Sequence, residues 1–285
     1  MTRYISTPSR TKEILETYGL RARKGYGQNF LVDPVIVEKC ALASHCQDAV
    51  IEIGPGIGGL TEQLARHSRH VTAYEVDEDL IPVLADTLKD YDNVGIILQD
   101  FLESDLEGKL AELEKAYGTV TVCANLPYYI TTPVLFKLFE YPEIPYITVM
   151  VQKEVGDRFA AKPKDSAYSA LSVEAQFLYD VKKLFTVPGR SFNPSPNVDS
   201  VIVQFTRKET DLRKEEIRAF YEMVRACFKQ RRKTLYNNLK EYLGNGETAR
   251  ELLAAEGIAE NARAQQLDCE EFVHLYERLK QGECV

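Results

Sequence analysis

Four consecutive residues, Asn125-Leu126-Pro127-Tyr128, have types and an order that can do chemistry on a planar amine. An exocyclic amine such as N6 of adenine is a poor nucleophile, because its lone pair is delocalised into the ring. If the Asn125 side-chain oxygen and the Leu126 carbonyl each accept one of its hydrogens, the nitrogen is drawn toward a tetrahedral arrangement and its lone pair is freed for attack. Pro127 has no amide hydrogen to compete for those acceptors, and it stiffens the turn that aims the carbonyl. Tyr128 supplies a ring on which a base can stack, an interaction of roughly 1–3 kcal/mol. The plainer reading of the same tetrapeptide is a strand end followed by a proline turn.

A second group lies upstream. Gly54-Pro55-Gly56-Ile57-Gly58-Gly59 follows the apolar run AVIEI (49–53) and leads into TEQLARH. A glycine-rich turn between a strand and a helix lets a ligand approach the backbone closely. Glu75 closes the next apolar run, about 20 residues on, where a carboxylate can accept both hydroxyls of a ribose. Asp100 ends the third run and can accept from an adenine amine. Together these positions indicate an adenosine-type cofactor, with helix-capping acids as the plain alternative. The spacing Gly54-x-Gly56-x-x-Gly59 also satisfies the dinucleotide fingerprint, so the loop alone leaves NAD and S-adenosylmethionine open. A planar-amine site on the fourth run favours S-adenosylmethionine, whose sulfonium is already an activated electrophile.

Those residues need strands that end at one edge. AVIEI (49–53), HVTAYEV (70–76), VGIILQD (94–100), TVTVCANL (119–126) and YITVMVQ (146–152) alternate with helical stretches, the pattern of a parallel sheet covered on both faces. KKLFTVPG (182–189) and DSVIVQFTR (199–207) follow with only SFNPSPN between their cores, so the sheet is expected to end in an antiparallel hairpin. Seven strands of this α/β kind make a Rossmann-like core. Ahead of it, Thr7, Pro8 and Gly19 bracket a short helix, and RARKGYGQNFL reads as a flexible basic loop, giving a basic arm over 1–30. Past 207 the periodicity turns helical at Ile217, Phe220, Tyr221, Val224 and Phe228. Gly244-Asn245-Gly246 breaks the next segment, and Asp268 with Glu271 makes a capping box before Phe272, Leu275, Tyr276 and Leu279. The expected division is a catalytic unit over 1–207 and a small helical domain over 208–285.

With 285 residues, 45% hydrophobic and 27% charged, the chain is long enough for one good core and a smaller second unit. No run of about 18 apolar residues occurs. MTRYISTPSR carries charge and proline where a secretory signal carries an apolar stretch, so a cytoplasmic protein away from membranes is expected. The six cysteines form no CxxC and the four histidines lie apart from them, which indicates reduced thiols and no metal site. A net charge of −8 argues against a nucleic-acid partner until its distribution is considered. Arg225, Lys229, Arg231, Arg232, Lys233 and Lys240 have no acid among them, and Arg3, Arg10, Lys12, Arg21, Arg23 and Lys24 outnumber Glu13 and Glu16. Acids gather instead over 103–114 and 247–271. Either basic cluster alone reads equally well as a solvated helix face. No long apolar stripe demands a dimer, so a monomer is expected.

On these residues the chain resembles the ribosomal RNA adenine dimethyltransferase family, and within it the branch acting on the bacterial small (16S) subunit. Gly27-Gln28-Asn29-Phe30-Leu31 matches the family's N-terminal motif and Glu52-Ile53-Gly54-Pro55-Gly56 its cofactor loop. Asn125-Leu126-Pro127-Tyr128 matches its catalytic motif and FNPSPNVDS (192–200) its late loop. The resemblance implies a class I methyltransferase core with a small C-terminal α-helical domain. It implies S-adenosylmethionine held by Gln28, Asn29, Leu31, Gly54, Gly56, Glu75, Asp100 and Asn125. Phe192 becomes the second wall of an adenine slot opposite Tyr128, in agreement with the need to hold an unstacked base between aromatic faces. The plain alternative for Phe192 is a core aromatic.

The activity so implied is N6,N6-dimethylation of two adjacent adenosines in the 3′-terminal hairpin loop of 16S rRNA, within the immature 30S subunit. Arg23 and Lys24, and a basic helix holding Lys229, Arg231, Arg232 and Lys233, are the expected RNA contacts. Asn197 stands where many relatives carry Lys or Arg, which puts one phosphate contact in doubt. Three rival readings compete. A large-subunit adenine methyltransferase of the macrolide-resistance type is disfavoured by FNPSPNVDS and FKQRRKTLYNNL. An NAD-dependent oxidoreductase gives the 125–128 segment no role, and a non-enzymatic RNA-binding factor would not need Gly54, Glu75, Asp100 and Asn125 intact.

Overall fold

The computed structural model describes residues 4–20 and 29–282, folded as two compact units. The first comprises Met1–Gly156 and Lys182–Arg207. Its strands are β1 (Phe30–Leu31), β2 (Ala49–Ile53), β3 (His70–Glu75), β4 (Val94–Leu98), β5 (Val120–Asn125), β6 (Tyr146–Gln152), β7 (Tyr179–Val187), β8 (Phe192–Asn193) and β9 (Ser200–Arg207). Seven of them form one sheet in the order β4-β3-β2-β5-β6-β9-β7, while β1 and β8 pair by themselves. All of β2 is buried, as are β3 after its first residue and β5 before its last. Strands sealed on both faces lose the alternation of polar residues, which is why they read as unbroken apolar runs.

Neighbours from β4 across to β6 are parallel, and β9 is antiparallel to β6. The parallel crossovers are made by α3 (Gly59–His67), α4 (Ile81–Thr87), α5 (Leu106–Tyr117) and α6 (Thr131–Phe139), while α1 (Pro8–Thr17) and α2 (Pro34–Ala43) precede the first parallel strand. Strand order reverses at β2, with β3 to one side and β5 to the other. The loops leaving β2 and β5 therefore diverge and open a crevice at the carboxyl edge, the usual ligand position of such sheets.

The N-terminal helix forms as expected, and several other expectations change. Ahead of the basic loop, Ile5 and Ile14 are buried in a cluster with Phe30, Ile57, Leu80, Val83, Leu84 and Leu88. The Ile5 amide also donates to Glu62 Oε2 at 2.8 Å, so two apolar anchors and one buried carboxylate dock the segment. Residues 21–28, which include Arg23, Lys24 and Gln28, lie outside the described residues. The third strand stops at Leu98, leaving Asp100 in the loop beyond it. The last two strands are neighbours as a hairpin requires, but their connection carries β8, which turns aside to pair with β1.

A further change concerns the domain boundary. The second unit takes Asp157–Val181 as well as Lys208–Val285, so the chain changes units within α7 (Lys153–Phe159) and again within β7. Its helices are α8 (Ala170–Leu178), α9 (Lys214–Phe228), α10 (Leu235–Leu243), α11 (Gly246–Ala255) and α12 (Cys269–Gln281). Helix α8 is buried at Leu171, Ser172, Val173, Glu174, Ala175, Phe177 and Leu178. It is held to α9 by Phe177 against Phe220, ring centroids 4.5 Å apart, and by a two-pronged ion pair from Arg225 to Glu174 at 3.0 and 2.8 Å. Burial pushes the Glu174 carboxyl up and Arg225 counters it, and losing Arg225 would leave a buried charge unpaired. The Asp268–Glu271 capping box opens α12, and Gly244 in the left-handed region ends α10 before Asn245 caps α11.

The expected basic helix is a turn instead. Helix α9 stops at Phe228, residues 229–233 form the turn, and the Thr234 hydroxyl starts α10 by accepting from the Asn237 amide. Lys229 is paired with Glu241 at 2.6 Å, and Arg231 donates to the Ser166 carbonyl at 3.0 Å.

Candidate active site

The carboxyl ends of β2, β3 and β5 and the β1–β8 ribbon border one open cavity of about 1310 Å³, counting its mouth. Asn29, Leu31, Gly54, Gly56, Glu75, Asp100, Asn125, Leu126, Pro127, Tyr128 and Phe192 all line it.

The cofactor loop is shaped by close approach. Gly56 has φ +60°, and a Cβ there would lie 3.3 Å from the Phe30 ring, so the N-terminal motif packs directly on the loop. Glu75 ties that loop to β3. One carboxylate oxygen accepts from the Val76 and Asp77 amides, both at 2.9 Å, and the other from the Gly56 amide at 3.3 Å. Burial raises the Glu75 carboxyl above its ordinary range, while these three amides pull it back. Asp100 is exposed and caps a short turn through the Leu102 amide at 2.8 Å. Capping and cavity lining thus coincide in this residue. Beyond it, Lys137 donates to the carbonyls of Phe101, Leu102 and Ser104 at 2.8–2.9 Å, which fastens the loop.

Asn125 ends β5 half-buried, and no described residue is bonded to its side chain. The Leu126 amide donates to the Met150 carbonyl at 3.3 Å, which fixes the peptide plane, and no described residue donates to the Leu126 carbonyl. The Pro127 carbonyl is taken by the Ile130 amide at 3.1 Å and the Thr131 hydroxyl at 3.3 Å, so the turn runs straight into α6. Tyr128 Oη lies 3.0 Å from Oγ of the fully buried Ser200 at the start of β9. Phe192 is 4% exposed, faces Leu31 across the ribbon and packs on Met150 and Ile202. It is both a core aromatic and a cavity wall. Its loop folds back because the Gly189 amide donates to Asp199 Oδ1 at 3.0 Å, and a Cβ on Gly189 would come within 2.7 Å of the Pro196 carbonyl.

One lining residue was not foreseen as such. Glu52 is 1% exposed, its Oε2 has no hydrogen-bond partner among the described residues, and burial pushes its carboxyl up to about 8, with the nearby Thr61 hydroxyl opposing the rise and the Glu75 charge adding to it. The signal was present: an acid in the middle of the buried run AVIEI is costly unless something meets it. Glu52, Glu75 and Asp100 all line the cavity, and no Lys, Arg or His does among the described residues. Such a site suits a cation. S-adenosylmethionine, with its sulfonium and ammonium, fits this donor set, whereas the pyrophosphate of a dinucleotide would face carboxylates without a counter-charge.

The comparisons with known proteins agree with this geometry. A family model described as Ribosomal RNA adenine dimethylase matches residues 19–281. The ribosomal RNA small subunit methyltransferase A of Bacillus licheniformis is 44% identical over 292 residues, covering 99% of each chain. That of Geobacillus thermodenitrificans is 46% identical over 279 residues, covering 95% of each. Among solved structures, a dimethyladenosine transferase from Plasmodium falciparum superposes with a TM-score of 0.71 at 28% identity, over 88% of this chain and 97% of its own. The 23S rRNA methyltransferase ErmE follows with 0.68 at 26% identity, over 89% and 100%. The first unit has the class I methyltransferase architecture of these structures. A family match over all but the ends of the chain, joined to full-length relatives above 40% identity, gives one conclusion: the chain belongs to the ribosomal RNA adenine dimethylase family.

Proposed function

We propose that the protein transfers methyl groups from S-adenosylmethionine to N6 of two adjacent adenosines in the 3′-terminal hairpin loop of small-subunit (16S) rRNA. The observation that carries this reading is one cavity bordered on one side by three carboxylates and on the other by Asn125, Leu126, Tyr128 and Phe192. When bound, the cofactor supplies a methyl carbon activated by the sulfonium. Glu75 accepts from the ribose, Asp100 from the adenine amine and Glu52 meets positive charge on the amino-acid tail. Asn29, Leu31, Gly54 and Gly56 shape the wall along it. On the substrate side the Asn125 oxygen and the Leu126 carbonyl accept the two N6 hydrogens, and Tyr128 and Phe192 hold the flipped base. The methylated nitrogen is a strong acid and sheds its proton to water, so no strong base is required.

Ser200 positions the ring of Tyr128 through the 3.0 Å bond between their hydroxyls. Ser200→Ala is expected to cost about 0.5–1.5 kcal/mol of that orientation, a fall of roughly 3- to 10-fold in kcat/KM for RNA with unchanged cofactor affinity. Ser200→Thr should restore part of it. Steady-state kinetics beside calorimetric cofactor titration checks this, and equal losses in both variants would remove the hydroxyl from the account.

The substrate is taken to be the immature 30S subunit, met by a cytoplasmic monomer. Among the described residues no helix is long and apolar enough to cross a membrane. The small-subunit relatives, above 40% identical from end to end, favour this branch over the large-subunit one. Changing Arg231, Arg232 and Lys233 to Glu should weaken binding to the subunit by about 10-fold or more, because phosphate contacts carry much of such affinity, and leave cofactor affinity intact. Unchanged subunit affinity in a filter-binding assay would sink that assignment. The function itself is tested by incubating the protein with labelled S-adenosylmethionine and either small or large ribosomal particles, then mapping the modified bases. Dimethyladenosine in the 16S hairpin is expected, and label in neither particle would remove the enzyme.

A further inference from the structure

Three segments distant in sequence are laced together at one place on the second unit. The Lys164 amide donates to the Gln265 carbonyl at 2.8 Å, the Gln265 side chain donates to the Arg231 carbonyl at 3.4 Å, and the Arg231 guanidinium donates to the Ser166 carbonyl at 3.0 Å. The turn over 229–233 is thereby brought against the loop over 161–168 and the stretch over 262–267. That loop presents Lys162 and Lys164, both exposed, and the third segment presents exposed Arg263. With Lys229, Arg231, Arg232 and Lys233 the three segments carry seven cations, against Asp165 as their one acid. Neither Lys162, Lys164, Arg232 nor Lys233 has an ion-pair partner among the described residues. In a chain of net charge −8 this concentration is local.

The loop is also held in a fixed shape. Asp165 Oδ2 accepts from the Lys162 amide at 2.8 Å, and the Asp165 and Tyr168 amides close successive turns at 3.0 and 3.1 Å. These bonds keep Lys164 at φ +75°, a left-handed conformation that a lysine adopts only at a cost. Two lysines flanking Pro163 on a braced turn lose little freedom on binding, unlike lysines on a mobile tail.

We propose that Lys162 and Lys164 form, with the turn over 229–233, one phosphate-binding surface for structured RNA, in which the lysine loop supplies a second row of contacts. The proposal rests on the rRNA substrate argued above and adds residues that the charge pattern of the sequence does not single out, because 162 and 164 lie far from both basic runs.

The test is the salt dependence of binding of the full-length protein to a 16S rRNA transcript, read by fluorescence anisotropy. Each phosphate contact contributes a slope of about −0.9 in log K against log salt. The double variant Lys162→Gln with Lys164→Gln should flatten the slope by roughly 2 and weaken binding about 10-fold at low salt. S-adenosylmethionine binding should be unchanged, which reports an intact fold. Neutralising Lys115 and Lys182, exposed lysines elsewhere, should leave the slope unaltered. A slope unaffected by the loop variant while Arg232→Gln with Lys233→Gln lowers it overturns the proposal and spares the RNA assignment. No effect from either pair overturns both, and an equal drop from Lys115 and Lys182 reduces the surface to general charge.

Discussion

Asn125→Ala is expected to lower methyl transfer by about 10³-fold, to the background of an ordinary assay, while S-adenosylmethionine still binds within about tenfold of its native affinity. The size follows from the role. An acceptor aimed at charge that develops on the reacting nitrogen acts in the transition state, and removing one such preorganised group typically costs 10²–10³-fold or more in kcat. Asn125 ends a buried strand, and its neighbour's peptide is pinned by the Leu126 amide to Met150, so the substitution removes an acceptor without loosening its support. Asn125→Asp separates geometry from charge: it keeps the acceptor oxygen in place but exchanges the amide nitrogen for a second oxygen and adds a negative charge beside the other carboxylates. Single-turnover rates with a 16S hairpin, beside calorimetric titration of the cofactor, decide the matter. Full activity in Asn125→Ala would refute the two-acceptor mechanism.

The second large effect belongs to Glu52. Its carboxyl is raised to about 8 by burial, so the free protein holds a proton there at neutral pH. A cationic ligand group meeting Oε2 requires the ionised form, and binding must then release that proton. Affinity for S-adenosylmethionine is expected to fall as pH drops below about 8, approaching a tenfold loss per pH unit. The ligand's own amine titrates near the same range, so the comparison that isolates the carboxyl is Glu52→Gln. This variant should bind about 10- to 100-fold more weakly at pH 8.5, as expected for a lost charge-assisted hydrogen bond, with a shallower pH slope. The effect on stability has the opposite sense. A carboxyl whose folded pKa lies above its ordinary 4.5 contributes fully below that value, and its contribution is lost as pH rises through about 8. The ligand-free protein should melt at progressively lower temperature over that window, and Glu52→Gln should not. Identical pH profiles for the two proteins would show that Glu52 meets no cation.

Much of the site is legible in the sequence because its parts are local. The Gly54 to Gly59 turn, the acid ending β3 and the tetrapeptide after β5 each sit at the end of a strand buried on both faces, so the apolar run and the motif announce each other. Less legible is whatever depends on a partner far along the chain. Glu52 reads as part of a strand, and only the structure shows that its Oε2 faces the cavity wall without a bond among the described residues. Helix α8 is buried on nearly every side, so it has no stripe to show which core it joins, and its partner Arg225 lies on a helix that begins at Lys214. The segment KQRRK is made of good helix formers, yet Thr234 caps a new helix and forces a turn before it. Docking of the N-terminal segment depends on Glu62, again a residue with no local sign of its role.

The two-residue ladder between β1 and β8 has a consequence for how the molecule is made. Phe30 pairs with Asn193 and Leu31 with Phe192, residues separated by about 160 positions. A ribosome emitting this chain from its N-terminus releases the glycine turn and the Asn125–Tyr128 segment long before the strand that seats Phe192. Closing so long a loop costs entropy that only distant contacts repay. A truncated product therefore holds the sheet edge and the acids but lacks the Phe192 wall of the cavity, which is completed only when the last tenth of the first unit has left the tunnel. An enzyme of ribosomal RNA is in this way assembled on a ribosome before its pocket is whole.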